Sequence, residues 1–284
     1  MKRKLIISDL DGTLLNNQHK VSKLNQRSIK KFISDGGLFT FATGRMEETT
    51  LPFLEQLDIT LPIISYNGAR LFCPVDKKVL YEDSMLVSPE IWKIILDPQH
   101  EYGVVIYKDN QPSTLNKNAI IEKFEQKEEI NCKLGSLDSF IDTPISKILL
   151  IAEKETNYAK DSNLIKIEQG ILNNSNDYTT VFSESNYLEI LPVGTSKGKG
   201  VNRLIRYLDI KDLYSIGIGD NLNDISLLES VDLGIAVENA QQELKQKANK
   251  VLDTSNDEDA VAHVIEYIVG NKEDKQSQIK TIET

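Results

Sequence analysis

The run Lys4-Leu5-Ile6-Ile7-Ser8-Asp9-Leu10-Asp11-Gly12-Thr13 decides how this chain is read. Leu5, Ile6 and Ile7 follow one another without alternation, which marks a strand buried on both faces, and Asp9 and Gly12 end it in a loop. Working outward, Ser22 is a helix N-cap. Behind it Ile29, Phe32 and Ile33 recur at helical spacing as far as Gly36-Gly37, which suits a helix closing in the left-handed conformation. Leu38 to Ala42 then reads as a second strand ending at Thr43-Gly44. A helical stretch from about Glu47 and a third strand at Pro62 to Ser65 follow. Strand, helix, strand, helix, strand predicts an α/β fold with a doubly wound, Rossmann-like parallel sheet.

After Asn67-Gly68 the rhythm changes. Short extended pieces, Val104 to Tyr107, Ile148 to Ile151 and Thr179 to Phe182, mix with polar helical stretches and read as a separate α+β unit. The alternation resumes with Tyr187 to Leu191, then a helix whose face is Val201, Leu204, Ile205 and Leu208, then a strand at Tyr214 to Ile218. The expected organisation is a discontinuous core of residues 1–83 and 189–270, an inserted α+β domain at 84–188, and a frayed polar tail at 271–284.

The 284 residues are 40% hydrophobic and 27% charged, which is globular composition and excludes disordered and fibrous classes. With 43 acidic against 33 basic side chains the net charge is −10, and no cluster of Lys and Arg with aromatics offsets it, so nucleic acid is not expected as a partner. Cys73 and Cys132 lack CxxC or Cys/His spacing and read as simple thiols. The apolar run after basic Met1 to Lys4 stops at Ser8, far short of a signal-peptide core or membrane span, so a cytoplasmic protein without membrane partners is expected, as a monomer or weak homodimer.

Asp9 and Asp11, two residues apart at a strand tip, can point the same way, and the crevice beyond strand carboxyl ends is where open parallel sheets bind ligands. A polar turn made permissive by Gly12 is the plain alternative. The second acidic group, Gly219-Asp220-Asn221-Leu222-Asn223-Asp224, also closes a strand and opens a helix. Asp224 could be a first-turn acid only, but Asp220 sits at the strand tip. Carboxylates converging from neighbouring strands are costly without a cation, and an all-oxygen donor set without His points to Mg²⁺ rather than zinc. Thr43-Gly44 and Lys197 in Gly-Thr-Ser-Lys-Gly-Lys-Gly are each weak alone. Together, a hydroxyl, backbone N–H groups and an ammonium facing carboxylate-held Mg²⁺ describe a phosphate site. A dinucleotide-binding turn would need GxGxxG where this chain has Asp-Gly-Thr-Leu.

Four motifs in order, Asp9-Leu10-Asp11-Gly12-Thr13, Thr43-Gly44-Arg45, Ser196-Lys197-Gly198 and Gly219 to Asp224, with weaker Asn67-Gly68-Ala69 and Asn239-Ala240, make the chain resemble the haloacid dehalogenase superfamily. Within it the likeness is to the Cof-type (subfamily IIB) hydrolases and sugar phosphatases. The resemblance implies that Asp9 attacks phosphorus to form an aspartyl phosphate and that Asp11 protonates the leaving alcohol and then activates water. It further implies that Mg²⁺ is held by Asp9, the Asp11 carbonyl and Asp220, with Asp224 in support. Leu10 N–H, Thr43, Gly44, Lys197 and Asn223 would then grip the phosphoryl oxygens.

By the same resemblance the insert is a cap that closes over the core and selects a small phosphorylated metabolite. Sugar phosphates are expected first, and phosphorylated cofactors such as pyridoxal phosphate or flavin mononucleotide next. Phosphomutase activity and a non-catalytic phosphometabolite-binding role are the alternatives. In the insert, Trp92, Tyr102, Tyr107, Asn174 and Glu184 are polar or aromatic candidates, and core packing explains the Trp and most of the Tyr residues at least as well. Glu238 and Ala260 stand where the family often has Gly.

Overall fold

β1 (Arg3–Ser8) holds Leu5, Ile6 and Ile7 with none of their surface exposed, as a strand covered on both faces requires. In this computed structural model, residues 2–97, 102–153 and 161–270 are described, with the backbone alone at Ile279–Lys280. α1 (Lys23–Ser34) starts where the Ser22 side chain accepts the Asn25 N–H at 3.0 Å and ends before Gly36 at φ 91°. β2 (Leu38–Phe41), α2 (Glu47–Leu57) and β3 (Ile63–Ser65) follow, and β3 continues into a three-stranded ribbon with β4 (Arg70–Cys73), its antiparallel neighbour, and β5 (Lys78–Glu82).

The chain divides into two compact units, Met1–Tyr81 with Ser196–Thr284, and Glu82–Thr195. The second unit contains α3 (Pro89–Ile95), β6 (Tyr102–Lys108), β7 (Gln111–Thr114), α4 (Ala119–Glu128), β8 (Lys133–Leu134), β9 (Lys147–Ala152), α5 (Ser162–Asn174), β10 (Tyr178–Glu184) and β11 (Tyr187–Pro192). Its sheet runs in the order β10-β11-β9-β6-β7-β8, antiparallel except between β7 and β8. Ile91, Ile95, Ile106, Ile148, Leu150, Ile171 and Leu188 are the centre of its own core.

The segment Tyr187 to Leu191, expected to begin the return to the parallel core, lies in this antiparallel sheet instead, with Leu188 opposite Leu150 and Phe182. An unbroken apolar run identifies a buried strand but not its partner, so local pattern alone puts it in the wrong sheet.

The first unit resumes with α6 (Lys197–Leu208), β12 (Leu213–Gly219), α7 (Ile225–Glu229), β13 (Leu233–Ala236), α8 (Gln242–Lys247), β14 (Lys250–Leu252), α9 (Ala260–Gly270) and β15 (Ile279–Lys280). Its sheet runs β15-β14-β13-β12-β1-β2, parallel but for β15, and the bridge between Ala42 and Ile64 aligns β3 beside β2. From β1 the chain winds to β2 on one side, and its return half, β12 to β14, lies on the other. The order therefore reverses beside β1, where such sheets open a crevice at their carboxyl ends. Of the expected frayed tail, only Ile279–Lys280 is described, paired antiparallel with β14; the remainder lies outside the described residues. Cys73 and Cys132 are free and buried, and no helix among the described residues is long and apolar enough to cross a membrane.

Candidate active site

Register builds the site. Ser8 lies opposite Ile218 in the parallel β1/β12 pair, and the Asp9 N–H donates to the Ile218 carbonyl at 2.9 Å, so Asp9 and the Gly219-Asp220 segment leave neighbouring strand tips side by side. The chain then turns sharply. The Leu10 carbonyl accepts the N–H groups of Thr13, Leu14 and Leu15 at 3.3, 3.0 and 2.8 Å. Gly12 takes φ 73°, and a Cβ there would run into the Asp220 carboxylate. Thr13 Oγ1 donates to Asp220 Oδ1 at 2.7 Å, which ties the first motif to the last.

Asp9, Asp220 and Asp224 each offer a carboxylate oxygen within 4.8 Å of the others. Lys197 enters from the first turn of α6, where Ser196 caps by accepting the Lys199 N–H at 3.2 Å. Its fully buried ammonium lies 2.7 Å from Asp9 Oδ1 and 2.5 Å from Asp224 Oδ1. Asp224 Oδ2 accepts the N–H groups of Asp220 and Asn221 at 3.0 and 3.1 Å, so both its oxygens already have partners. That leaves Asp224 better suited to hold the loop than to act as a principal ligand.

Burial, reinforced by the charge of Asp224 and opposed by Lys197, pushes the Asp9 carboxyl up to about 7. Burial and the charges of Asp9 and Asp224 also push Asp220 well above the carboxylate range. For Lys197, burial works against the charged form, but Asp224 and Asp9 outweigh it and raise the ammonium above its ordinary value.

These residues fit a hard divalent cation. All-oxygen donors within 4.8 Å of one another approach the ~4.2 Å that spans an octahedron of ~2.1 Å bonds, and the carboxylate repulsion just described is what such an ion relieves. Asp9 and Asp220 would hold it, with Asp224 behind them.

Asp11 does not join this cluster. Burial alone would raise its carboxyl, but Arg45 holds it well below the usual range. Arg45 Nε donates to Asp11 Oδ2 and Nη2 to Oδ1, both at 2.7 Å, and His19 Nδ1 lies 3.6 Å from Oδ1. Sequence reasoning quoted Arg45 as part of a motif without giving it a partner, and His19 carried no signal at all.

Thr43, just past the tip of β2, is buried, and its Oγ1 accepts the Arg45 N–H at 3.2 Å. Gly44 follows it in the same loop. The Leu10 N–H has no acceptor among the described residues. Asn223 is held through its amide, which donates to Asn67 Oδ1 at 3.0 Å. Asn239 was also missed as a support: its side chain donates to the Gly12 carbonyl at 2.8 Å and accepts the Asn256 N–H at 2.9 Å, bracing the turn that follows Asp11. Ala260 is fully buried at the start of α9, and Glu238 makes a backbone bond from its N–H to the Thr254 carbonyl at 3.0 Å.

The second unit's candidates have structural partners. Trp92 packs in its core, Tyr102 donates its hydroxyl proton to the Ile95 carbonyl, and Asn174 bonds the Gly170 carbonyl at 2.8 Å. The Tyr107 ring lies 4.8 Å from the Lys147 ammonium, and Glu184 pairs with Lys127 at 2.7 Å.

Comparison with known proteins gives the chain its relatives. Phosphatase YwpJ of Bacillus subtilis is 29% identical over 292 residues, covering 94% of this chain and 100% of that protein. The 5-amino-6-(5-phospho-D-ribitylamino)uracil phosphatase YitU of Bacillus subtilis is 27% identical over 269 residues, covering 93% and 97%. A solved structure of a haloacid dehalogenase-like hydrolase from Bacteroides thetaiotaomicron matches with a TM-score of 0.80 at 26% identity, over 94% of this chain and 100% of that one. Fold, site and relatives define the class as phosphoric monoester hydrolase. The chain belongs to the haloacid dehalogenase-like hydrolases, whose family model matches residues 6–265.

Proposed function

We propose that this chain is a Mg²⁺-dependent phosphatase that hydrolyses small phosphorylated metabolites, sugar phosphates foremost, through an aspartyl phosphate on Asp9. The observation that carries this reading is the Lys197 ammonium set 2.7 Å from Asp9 and 2.5 Å from Asp224, beside the Asp220 carboxylate. It explains how one carboxylate can approach a phosphate dianion. Lys197 neutralises charge on the phosphoryl oxygens, and the Leu10 N–H, Thr43, Gly44 and Asn223 supply further hydrogen bonds. Bound Mg²⁺, held by Asp9 and Asp220, supplies additional neutralising charge at those oxygens.

Asp9 forms the bond to phosphorus as the ester bond breaks, and the departing alkoxide takes its proton from Asp11. Water then attacks the aspartyl phosphate and gives a proton back to Asp11, releasing orthophosphate. Clamped by Arg45, Asp11 has the ionised form that the second half-reaction needs; donation in the first half requires it to leave Arg45.

The test is phosphate release from a panel of hexose phosphates, a phosphorylated ribityl compound, pyridoxal phosphate and flavin mononucleotide, with Mg²⁺ and then with EDTA. The ribityl compound belongs there because YitU is named for one. Mg²⁺-dependent release with hexose phosphates ranked first is the expected result. Release unaffected by EDTA would remove the metal from the reading, and transfer of phosphate to a sugar rather than to water would make the enzyme a mutase.

A further inference from the structure

Tyr66, Asn67 and Gly68, directly after β3, have φ values of 49°, 52° and 100°. Three successive left-handed residues are uncommon, and for a ring-bearing residue such as Tyr66 the conformation is a strain that the surroundings must impose. Tyr66 and Asn67 are almost fully buried, so the surroundings are packed protein.

This short strap touches three of the four segments that carry the phosphate-gripping groups. The Asn67 N–H donates to the Thr43 carbonyl at 2.9 Å and the Tyr66 N–H to the Arg45 carbonyl at 3.2 Å, fixing the loop of the second motif. Gly68 lies against the entry of α6 so closely that a Cβ would overlap the Ser196 carbonyl, next to Lys197. Arg203 Nη1, further along α6, donates to the Gly68 carbonyl at 3.0 Å. Lastly, Asn67 Oδ1 accepts from Asn223 Nδ2 at 3.0 Å across 156 residues of sequence, while Asn223 Oδ1 is buried with no partner among the described residues.

We propose that Asn67 is a positioning residue for the phosphoryl site: its backbone fixes the Thr43 loop and its side chain fixes the Asn223 amide. The inference rests on the phosphatase reading above and extends it to a residue that touches no reacting atom. The terminal torsion of an asparagine is broad and roughly two-fold, so an untethered Asn223 would sample orientations that present its oxygen, not its N–H, to a phosphate. One N–H given to Asn67 Oδ1 fixes the amide plane and leaves the other for the ligand. Asn also tolerates the left-handed backbone better than most residues, which makes one residue serve both needs.

The experiment is a double-mutant cycle with Asn67→Gly and Asn223→Ala, read as kcat and KM on p-nitrophenyl phosphate, vanadate inhibition and melting temperature. Glycine keeps the left-handed backbone without strain and removes only the amide, so the melting temperature is expected to stay within a few degrees of wild type. Catalytic efficiency should fall by about tenfold, with weaker vanadate inhibition, an effect of the size expected for one hydrogen bond. In the Asn223→Ala background, Asn67→Gly should cost nothing further. If Asn67→Gly fails to fold, Asn67→Ala, which also lacks the amide, carries the same cycle.

Losses that multiply in the double mutant, or an Asn67→Gly enzyme as active as wild type, overturn the inference while leaving the phosphatase reading intact. A wild type that neither releases phosphate nor binds vanadate overturns both.

Discussion

Replacing Lys197 with methionine removes one buried charge and leaves two behind. At an effective dielectric of about 20, unit charges at the 2.7 and 2.5 Å separations from Asp9 and Asp224 attract by roughly 6 kcal/mol each. Desolvation of the three ions, several kcal/mol apiece, offsets most of this gross figure, so the net value of the arrangement is small. The cost of breaking it is not small, because Asp9 and Asp224 are then buried beside Asp220 with no counter-charge. Losing one partner of a buried ion pair costs about 3 to 5 kcal/mol. For a chain of this size that lowers the melting temperature by roughly 6 to 20 °C.

The assay is a thermal melt in EDTA, so that no cation replaces the lost charge, with Lys247→Met as the exposed control. The control should lie within about 0.5 kcal/mol of wild type. Phosphate release by Lys197→Met should fall by about 10² to 10³, the range seen when a preorganised charge-stabilising donor is removed. A Lys197→Met melt within about 2 °C of wild type would refute the claim that Lys197 compensates these carboxylates.

Gly12→Ala places a side chain at φ 73° against the Asp220 carboxylate and should abolish most phosphate release, whereas Gly36→Ala, at φ 91° in open space, should cost only about 1 kcal/mol in a denaturant melt and leave turnover unchanged. Asp11→Asn should cripple turnover yet leave Mg²⁺ and phosphate affinity, read by calorimetry, close to wild type. Equal turnover would remove Asp11 from proton transfer. Asp232 accepts both the Ser215 N–H and Oγ–H at 2.7 Å, and although burial opposes it, this lowers its pKa on folding. A lowered folded-state pKa stabilises above the unfolded value and loses that contribution as pH falls. Asp232→Ala should therefore cost roughly 1 kcal/mol at pH 7, discounted for exposure, and move toward wild type as the pH falls below the ordinary carboxylate range; a cost independent of pH would contradict this.

What the sequence made legible was local. The unbroken apolar strands, the cap at Ser22 and the left-handed exit at Gly36 each depend on a few adjacent residues, and the structure has them where local chemistry puts them. Convergence of Asp9 with Asp220 could be inferred because both leave strand tips and a doubly wound sheet has few ways to arrange its strands. The contacts that escaped are long-range. Arg45 meets Asp11 across 34 residues and Asn67 meets Asn223 across 156, and neither pairing leaves a periodic trace. The ribbon of β4 and β5 escaped because β5, mostly exposed, has no buried face to betray it. The assignment of Tyr187–Leu191 to the parallel core failed for the related reason that a buried strand looks the same whichever sheet it joins.

The central claim is that the Asp9 carboxylate is the nucleophile, and its most direct test is phosphate release from p-nitrophenyl phosphate in saturating Mg²⁺ by wild type and Asp9→Asn side by side. The account predicts steady release by wild type and none above the buffer rate for the variant, with the two proteins melting as folded chains. Comparable release by folded Asp9→Asn would contradict it.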